Sequence, residues 1–224
     1  MSSRYEASRR HWNGVFANLP PFDPNDPLEH PDLESALRWV SKGAHSVVDF
    51  GCGSGRALLR SLVLGADGGV GIDISDSAIS LAEKVARASK LEGRAMFRRG
   101  DIALLSSLAT GSFDSGILFN IVDSLFPEDA ITVLNEYRRV VRPDGKILLK
   151  LNGFVEPAVL EGEYGAVQLT GRLYREKTGL YFWDLDDGEA RALLTRLFTL
   201  EESSLARLGE SGASNHVYYL RRRQ

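Results

Sequence analysis

Short apolar runs alternate with amphipathic stretches through the middle of this 224-residue chain. The apolar runs predict strands at 46–50, 69–72, 94–98, 112–119 and 146–151. Apolar residues at helical spacing predict helices at 53–63, 77–90 and 127–140, the last of which begins with a proline. Strands that alternate with helices in this way form parallel sheets covered on both faces, so the pattern predicts a doubly wound α/β fold.

The N-terminal flank follows a different pattern. Aromatic and aliphatic residues among charges at 4–18 predict an amphipathic helix. A connector rich in proline and aspartate then extends to residue 31, because these residues favour turns and deny a helix its backbone donors. A short helix over 33–40 precedes the first strand. We expect residues 1–31 to form a lid and its connector.

The C-terminal flank begins with a segment that has no clear period. Residues 153–182 mix glycine, glutamate and isolated aromatics, and we expect an insertion over the functional site. A helix at 187–198 and strands at 199–205 and 216–221 complete the pattern, with Gly209 and Gly212 in the turn between the two strands. The chain is therefore expected to form one domain over residues 1–224.

Composition narrows the class of protein. Hydrophobic residues make up 43% and charged residues 25% of the sequence, which is enough apolar material for a substantial core. The formal net charge of −3 provides no positive field for phosphate backbones or acidic membranes, so we expect neither nucleic acid nor a membrane as a partner. The single cysteine, Cys52, supports neither a disulfide nor a multi-thiolate metal site. Because no apolar leader and no stretch of ~20 apolar residues is present, we expect a cytoplasmic location.

A glycine-rich turn follows the first predicted strand and opens the next helix. Its spacing is Asp49-x-Gly51-x-Gly53-x-Gly55. Glycine permits positive φ and lets a ligand approach the backbone, and the turn also directs free amide groups at that ligand. A dinucleotide site requires its third glycine where Arg56 stands here, and the carboxylate of Asp49 would repel a pyrophosphate. The turn therefore favours a ligand that carries positive charge.

Two further acids end the second and third predicted strands. Asp73 lies roughly twenty residues after the glycines, where a carboxylate accepts hydrogen bonds from both hydroxyls of a ribose. Its alternative role is a helix cap ahead of residues 75–77. Asp101 is placed to accept a hydrogen bond from an exocyclic amine such as that of adenine, and its alternative role is the N-cap of the following helix. Different atoms of Asp101 are able to fill both roles.

A family resemblance is carried by five segments that lie at predicted strand ends in a characteristic order: VVDFGCGSGR, GIDIS, RRGDI, FDSGILFNIVDSL and RVVRPDGKILL. On these segments, residues 32–151 resemble the class I S-adenosylmethionine-dependent methyltransferases. The resemblance implies a seven-stranded, mostly parallel sheet whose last strand is antiparallel. It also implies that S-adenosylmethionine lies across the carboxyl ends of the first four strands and leaves as S-adenosylhomocysteine.

The resemblance further assigns roles to single residues. Asp49 would lie near the amine of the cofactor, Asp73 would hold the ribose, and Asp101 would bond the adenine. Trp12 would close over the cofactor, with simple packing as its alternative. The implied cofactor-binding residues are Asp49, Gly51, Cys52, Gly53, Gly55, Asp73, Ile74, Gly100, Asp101, Ile102, Asn120, Ile121 and Trp12.

The reaction requires alignment and the exclusion of water more than acid–base chemistry, because the sulfonium already activates the methyl group. If the acceptor needs a base, Asp123 is the first candidate by position and His11 the second, with local capping or pairing as the alternative for Asp123. The absence of an Asn/Asp-Pro-Pro-Tyr/Phe motif after the fourth strand argues against amino-methylation of nucleic-acid bases. The sequence also lacks the adjacent Asp-Asn pair with which catechol-type enzymes hold magnesium, so we expect no metal. Candidates for the acceptor pocket, with core packing as their alternative, are Phe16, Asn152, Tyr181 and Trp183.

We therefore expect an enzyme that transfers a methyl group to nitrogen or oxygen of a small-molecule acceptor by in-line displacement. One alternative is a methyltransferase that modifies protein side chains. Another is a module that binds S-adenosylmethionine without catalysis.

Overall fold

A seven-stranded sheet forms the centre of the fold in the computed structural model, which describes residues 3–208 and 213–224. The strands in chain order are β1 (Ser46–Phe50), β2 (Gly68–Asp73), β3 (Ala95–Arg99), β4 (Phe113–Phe119), β5 (Val141–Asn152), β6 (Val167–Thr170), β7 (Leu173–Arg175), β8 (Tyr181–Trp183), β9 (Phe198–Leu208) and β10 (Ala213–Arg222). The main sheet has the order β3-β2-β1-β4-β5-β10-β9. Strands β1 to β5 pair in parallel, and β10 pairs antiparallel with β5 and β9. The predicted seven-stranded, mostly parallel, doubly wound sheet is confirmed.

Helices flank this sheet, and local sequence signals define where several of them begin. They are α1 (Glu6–Ala17), α2 (Pro31–Ser41), α3 (Arg56–Val63), α4 (Asp76–Ala88), α5 (Ile102–Ser106), α6 (Pro127–Val140), α7 (Pro157–Gly162) and α8 (Asp187–Leu194). Ser75 caps α4 by accepting a hydrogen bond from the backbone N–H of Ala78, and Asp186 and Glu189 form a capping box on α8. In the described part of the chain, no helix is long and apolar enough to cross a membrane.

Two apolar clusters pack on opposite faces of the sheet. Tyr137 on α6 is fully buried in one of them, and its hydroxyl donates to the carbonyl of Ile117 at 2.7 Å and accepts from the N–H of Phe50 at 2.9 Å. A side chain at Gly116 would lie 2.6 Å from the Tyr137 ring, so glycine is required there. Tyr137 thereby ties together β1 and β4, the two central strands whose carboxyl ends carry candidate site residues.

The structure differs from the predicted elements mainly after residue 140. Strand β5 begins at Val141 rather than at 146, because its pairing with β4 continues across a register shift. Helix α8 ends at Leu194, and β9 begins at Phe198. The insertion contains α7 and a separate antiparallel sheet of β6, β7 and β8, whose strands are too short to leave a clear period in the sequence. The turn predicted at Gly209 and Gly212 lies outside the described residues.

Candidate active site

A cavity of about 710 Å³ lies beside the ends of β1, β2, β3 and β4, beneath α1. This volume falls within the range of roughly 300–1,000 Å³ that is usual for small-molecule sites. Its lining residues are Arg4, Tyr5, Ser8, Trp12, Phe16, Phe50, Gly51, Gly53, Asp73, Ile74, Gly100, Asp101, Ile102, Ala103, Phe119, Asn120, Ile121, Ser124, Leu125, Asp129, Leu180 and Tyr181. The place is the one that doubly wound folds use for ligands, since strand ends converge there.

The glycine turn gives this cavity a wall of bare backbone. Gly51 has φ of 74°, and a side chain there would come within 2.9 Å of Ile121. Gly53 has φ of 52°, and a side chain there would meet the ring of Phe16 at 2.9 Å. Both positions therefore require glycine on backbone and steric grounds, and both line the cavity as predicted.

Two predicted cofactor residues of the same turn face the protein interior instead. The side chain of Cys52 is 8% exposed and belongs to the apolar core, where burial raises the pKa of its thiol well above the usual value. Gly55 is the N-cap of α3 with φ of 77°, and a side chain there would lie 2.6 Å from the ring of Phe97. Gly55 thus permits close packing between α3 and β3, and neither residue is part of the cavity wall.

Asp73 and Asp101 both reach the cavity from the ends of β2 and β3. Asp73 accepts hydrogen bonds from the backbone N–H groups of Gly53 and Ser75, each at 2.8 Å, and burial raises its pKa. Ser75, not Asp73, is the N-cap of α4. Asp101 is the N-cap of α5, where it accepts from Ala103 at 3.1 Å, so the alternative role predicted for it is confirmed.

Asp49 lies beneath the glycine turn and does not line the cavity. Its carboxyl group is 1% exposed, and within the described residues Oδ2 has no hydrogen-bond partner. Burial and the nearby charge of Asp73 raise the pKa of Asp49 to about 8. The side chain expected near the amine of the cofactor is therefore buried below the turn, and with a pKa of about 8 it is largely uncharged at neutral pH. Asp73 and Asp101 are the acids of these strand ends that line the cavity.

The segment after β4 brings Asn120 and Ile121 to the cavity but keeps Asp123 away from it. Asp123 is 1% exposed, and its Oδ2 accepts hydrogen bonds from the backbone N–H and the side-chain amide of Asn152, at 2.7 and 2.9 Å. Burial raises the pKa of Asp123 to about 6. A sealed carboxylate cannot take a proton from a ligand, so the predicted role of Asp123 as a base needs correction, whereas its alternative, local pairing, matches the structure.

A roof over the cavity is formed by α1 and by residues of the insertion. Trp12, Phe16 and Tyr181 all line the cavity, as predicted. The rings of Trp12 and Phe16 lie 5.7 Å apart, and Trp12 is 36% exposed. Tyr181 contacts the rings of Tyr5 and Phe126 at centroid distances of 6.0 and 4.6 Å. The roof is therefore largely aromatic.

Polar contacts connect α1 and the preceding 3-10 turn, Ser3–Tyr5, to helices on both sides of the sheet. Arg4 pairs with Glu128 at 2.8 Å and with Asp129 at 3.0 Å. The Tyr5 hydroxyl donates to Asp129 at 2.6 Å and accepts from the N–H of Phe126 at 3.0 Å. On the other side, Arg9 pairs with Asp76 at 3.2 Å, and Asn13 accepts hydrogen bonds from Ser75 and Ser77. These contacts hold the N-terminal segment closed over the cavity.

The structure does not bring every predicted residue to the cavity, and it adds others. His11, Asn152 and Trp183 do not line it. His11 packs beside Trp12, Trp183 packs at the edge of the core, and Asn152 is exposed and bonded to Asn120. The residues that the sequence did not single out are Arg4, Tyr5, Ser8, Phe50, Ala103, Phe119, Ser124, Leu125, Asp129 and Leu180. The aromatic face of α1 was the only sequence signal for any of these residues, because the remaining ones come together only in the folded protein.

Ser8 is notable among these added residues. It is 7% exposed, lines the cavity, and its hydroxyl has no hydrogen-bond partner within the described residues. A buried hydroxyl without a partner is costly, so a ligand that reaches Ser8 gains from bonding it. Among residues 3–208 and 213–224, no group of three or more histidine, cysteine or acidic residues is arranged to hold a metal ion.

The family model of the methyltransferase domain matches residues 41–161, which is more than half of the chain. The chain belongs to the methyltransferase domain family. This confirms the predicted class, the S-adenosylmethionine-dependent methyltransferases, with S-adenosylmethionine as the cofactor of the family. The matched region contains β1 to β5 and therefore the strand ends that carry Gly51, Asp73, Asp101 and Asn120.

Relatives of this chain include ribosomal protein L11 methyltransferase from Alteromonas mediterranea, which is 41% identical over 68 residues. That match covers 29% of this chain and only 23% of the relative's length. PH0226 protein from Pyrococcus horikoshii superposes with a TM-score of 0.69 at 20% identity, over 94% of this chain and 99% of that one. The 1,6-didemethyltoxoflavin-N1-methyltransferase of Burkholderia thailandensis, solved with its substrate and S-adenosylhomocysteine, superposes with a TM-score of 0.68 at 18% identity, over 100% and 92%. At these identities the structural likeness shows the fold alone.

Proposed function

We propose that this protein transfers the methyl group of S-adenosylmethionine to nitrogen or oxygen of a small molecule. The observation that carries the proposal is that one cavity has both a polar end, which suits the cofactor, and an aromatic end, which suits an acceptor. One end has bare backbone and carboxylates at Gly51, Gly53, Asp73 and Asp101, and the other end is aromatic beneath α1. A donor and an acceptor held in one roofed space would meet in line and away from water.

The cofactor end suits a cationic nucleoside. The charged residues of the cavity wall are Arg4, Asp73, Asp101 and Asp129, and Arg4 is already paired with Asp129. Three of these four residues are acidic, which favours a ligand with positive charge. The carboxylates of Asp73 and Asp101 would accept from ribose hydroxyls and from the adenine amine, and Ile74 and Ile102 would offer apolar faces to the adenine.

The bound cofactor supplies an electrophilic methyl group on a sulfonium, and the chain's own residues do the positioning. Gly51 and Gly53 let the ligand approach the backbone closely. The roof residues Trp12, Phe16 and Tyr181 would exclude water and hold a flat or apolar acceptor against the transferred methyl group. No side chain needs to act as a base if the acceptor is a neutral amine, a heterocyclic nitrogen or an acidic hydroxyl.

A protein side chain is the second candidate acceptor, and the match to ribosomal protein L11 methyltransferases favours it. The matches extend over as much as 54% of this chain, in the enzyme from Methylococcus capsulatus, but that match covers only 39% of the relative's length. The roof formed by α1 and Tyr181 favours a small acceptor, because these residues cover the cavity that would hold it. Both acceptor classes require the same cofactor end.

Two experiments test the proposal. Calorimetric titration should show binding of S-adenosylmethionine and S-adenosylhomocysteine but not of NAD, and a preference for NAD would contradict the cofactor assignment. Transfer of a labelled methyl group into fractionated extracts should then label small molecules. Label found only in protein would favour the second candidate, and binding without any transfer would favour the non-catalytic module.

A further inference from the structure

A chain of hydrogen-bonded side chains leads from the buried carboxylate of Asp123 to the cavity. Asn152 donates to Asp123 Oδ2 through its backbone N–H at 2.7 Å and through Nδ2 at 2.9 Å. Asn152 Oδ1 accepts in turn from Asn120 Nδ2 at 2.6 Å, and Asn215 Oδ1 is a second acceptor for that nitrogen at 3.3 Å. Of these four residues, Asn120 lines the cavity.

The direction of these bonds is set at the buried end. A backbone N–H is always a donor, so Asp123 Oδ2 acts there as an acceptor. The same oxygen contacts the side-chain amide of Asn152, so the amide nitrogen faces Asp123 and the amide oxygen faces Asn120. Asn120 must then turn its own nitrogen toward Asn152, because two carbonyl oxygens cannot bond each other.

The other polar groups of Asn120 are used inside the protein. Its N–H donates to the carbonyl of Lys150 at 2.9 Å, and its carbonyl accepts from the hydroxyl of Ser124 at 2.9 Å. Its φ of 53° lies in the left-handed region, which asparagine adopts more readily than most residues. In the described part of the chain, Asn120 Oδ1 accepts no hydrogen bond, and Asn120 is half-buried at the cavity wall.

Asn120 lies between the two ends of the cavity. The side chain of its neighbour Ile121 packs against Gly51 of the glycine turn, and Ser124, which bonds the Asn120 carbonyl, lines the cavity together with Leu125. The Asn120 amide turns its nitrogen to Asn152 and Asn215, which leaves its oxygen as an acceptor without a partner among the described residues at this junction. This oxygen requires a ligand group that carries a hydrogen.

We propose that Asn120 Oδ1 accepts a hydrogen bond from the nucleophilic N–H or O–H group of the methyl acceptor, and that Asn152 and Asp123 are positioning residues that fix the Asn120 amide. This inference rests on the proposed function and narrows its substrate class. The acceptor is an amine, an N–H heterocycle or a hydroxyl compound, rather than a tertiary amine or a thiolate. The hydrogen bond holds one hydrogen of the nucleophile and directs its lone pair toward the methyl group.

The transfer balances without a further reactant. The lone pair of the nucleophile forms the bond to the methyl carbon while the carbon–sulfur bond breaks, and its electron pair returns to sulfur to give the neutral thioether. A methylated nitrogen is then cationic and releases its proton to water, whereas a hydroxyl group gives its proton to water as the carbon–oxygen bond forms. The Asn120 amide orients this step and takes no proton.

Sinefungin tests the proposal without a known acceptor. This analogue carries an ammonium group where S-adenosylmethionine has its methylated sulfonium, so it places a hydrogen-bond donor at the transfer position. We expect the wild-type protein to bind sinefungin more tightly than S-adenosylhomocysteine. Asn120→Ala should weaken sinefungin binding roughly 10-fold more than it weakens S-adenosylhomocysteine binding, the value of a hydrogen bond to a charged group. Asn135→Ala, an exposed amide on α6, is the matched control and should change neither affinity.

The outcomes distinguish which part of the ligand donates a hydrogen bond to Asn120 Oδ1. Equal weakening of both nucleosides by Asn120→Ala would assign the oxygen to the amino-acid part of the cofactor and overturn the proposal, as would no change in either. If neither nucleoside binds the wild-type protein, the proposed function fails as well. If both nucleosides bind and Asn120→Ala does not change the ratio of their affinities, only this inference fails.

Asn152 variants test the positioning role through the same affinity ratio. Asn152→Ala removes the principal acceptor for Asn120 Nδ2 and should reduce the preference for sinefungin roughly 3-fold, a part of the loss expected for a charged hydrogen bond because Asn215 remains. Asn152→Asp keeps an acceptor oxygen opposite Asn120, and the buried Asp123 then holds the proton that two adjacent carboxylates share. It should therefore retain the preference. If Asn152→Ala and Asn152→Asp showed the same ratio of sinefungin to S-adenosylhomocysteine affinity, Asn152 and Asp123 would have no positioning role. A general loss of stability would not lower this ratio in the alanine variant alone.

Discussion

The two ends of the cavity are built by different means. The cofactor end is made from the glycine turn and from acids at the ends of neighbouring strands, and backbone hydrogen bonds fix its geometry, as in the bonds from Gly53 and Ser75 to Asp73. The acceptor end is made from side chains of segments far apart in the chain, such as Tyr5, Asp129 and Tyr181. Long-range contacts between those side chains hold it together.

This difference implies that the cofactor end tolerates few substitutions, whereas the acceptor end tolerates many. A backbone cradle depends on glycine and on strand ends, so it is tied to the sheet itself and suits a ligand common to the whole family. A wall of side chains on a lid and an insertion is altered by single substitutions without disturbing the sheet. We therefore expect variants at the two ends to change different quantities.

The largest effect is expected from Asp49→Asn below the cofactor end. Because the pKa of Asp49 is about 8 in the folded protein and 3.8 in an ordinary aspartate, folding favours the protonated carboxyl, and wild-type stability should fall as pH rises from about 4 to 8. The slope from this group is about 1.4 kcal/mol per pH unit at most. Urea unfolding of both proteins across this range should show the variant losing less stability, and parallel curves would contradict a buried, protonated Asp49.

Asp73→Ala should come next and should act on cofactor affinity. The change removes a half-buried carboxylate at the end of β2 and also frees the N–H of Gly53 in the turn. We expect S-adenosylhomocysteine to bind about 1–3 kcal/mol more weakly by calorimetry, the range for lost charged hydrogen bonds. Asp67→Ala, an exposed acid at the opposite end of β2, is the control and should bind normally. Unchanged affinity in a folded Asp73→Ala protein would exclude Asp73 from the cofactor site.

Tyr5→Phe should give a smaller effect at the acceptor end. The substitution keeps the ring and removes a hydroxyl that bonds both Asp129 and the N–H of Phe126, a loss of about 1 kcal/mol. Limited proteolysis should cut the N-terminal segment faster, while the affinity for S-adenosylhomocysteine should stay unchanged. If cofactor affinity fell as far as in Asp73→Ala, the two ends would not be separable.

Arg9→Ala should give the smallest effect, although Arg9 joins the roof to α4. Its pair with Asp76 is only partly buried, and pairs near the surface contribute little and are screened by salt. Proteolysis of the N-terminal segment should differ slightly from wild type in low salt and not at all in high salt. A large effect that persists in high salt would show that this pair, rather than the aromatic contacts, holds the roof closed.

The positions of individual residues show where prediction from the sequence succeeded and where it failed. Gly51, Asp73 and Asp101 reached the cavity as predicted because each follows a strand, and the ends of parallel strands must meet at one edge. Prediction failed where a side chain had two directions available. Asp123 was expected at the site and turned inward to Asn152, while Tyr5 was treated as part of a helix face and lines the cavity.

The sequence by itself determined the sheet, the family and the backbone cradle, because strand period, glycine spacing and acids at strand ends are local signals. Only the tertiary structure decided how deeply Asp49 is buried, which partners fix the Asn120 amide, and which aromatic rings of α1 and the insertion form the roof of the cavity. The roof depends on contacts between residues more than a hundred positions apart, such as Tyr5 with Asp129 and Tyr181, and the Asn120 amide depends on Asn152 and Asn215 from other strands. Local patterns carry no information about such pairs, since packing and hydrogen-bond partners are chosen only when the chain has folded.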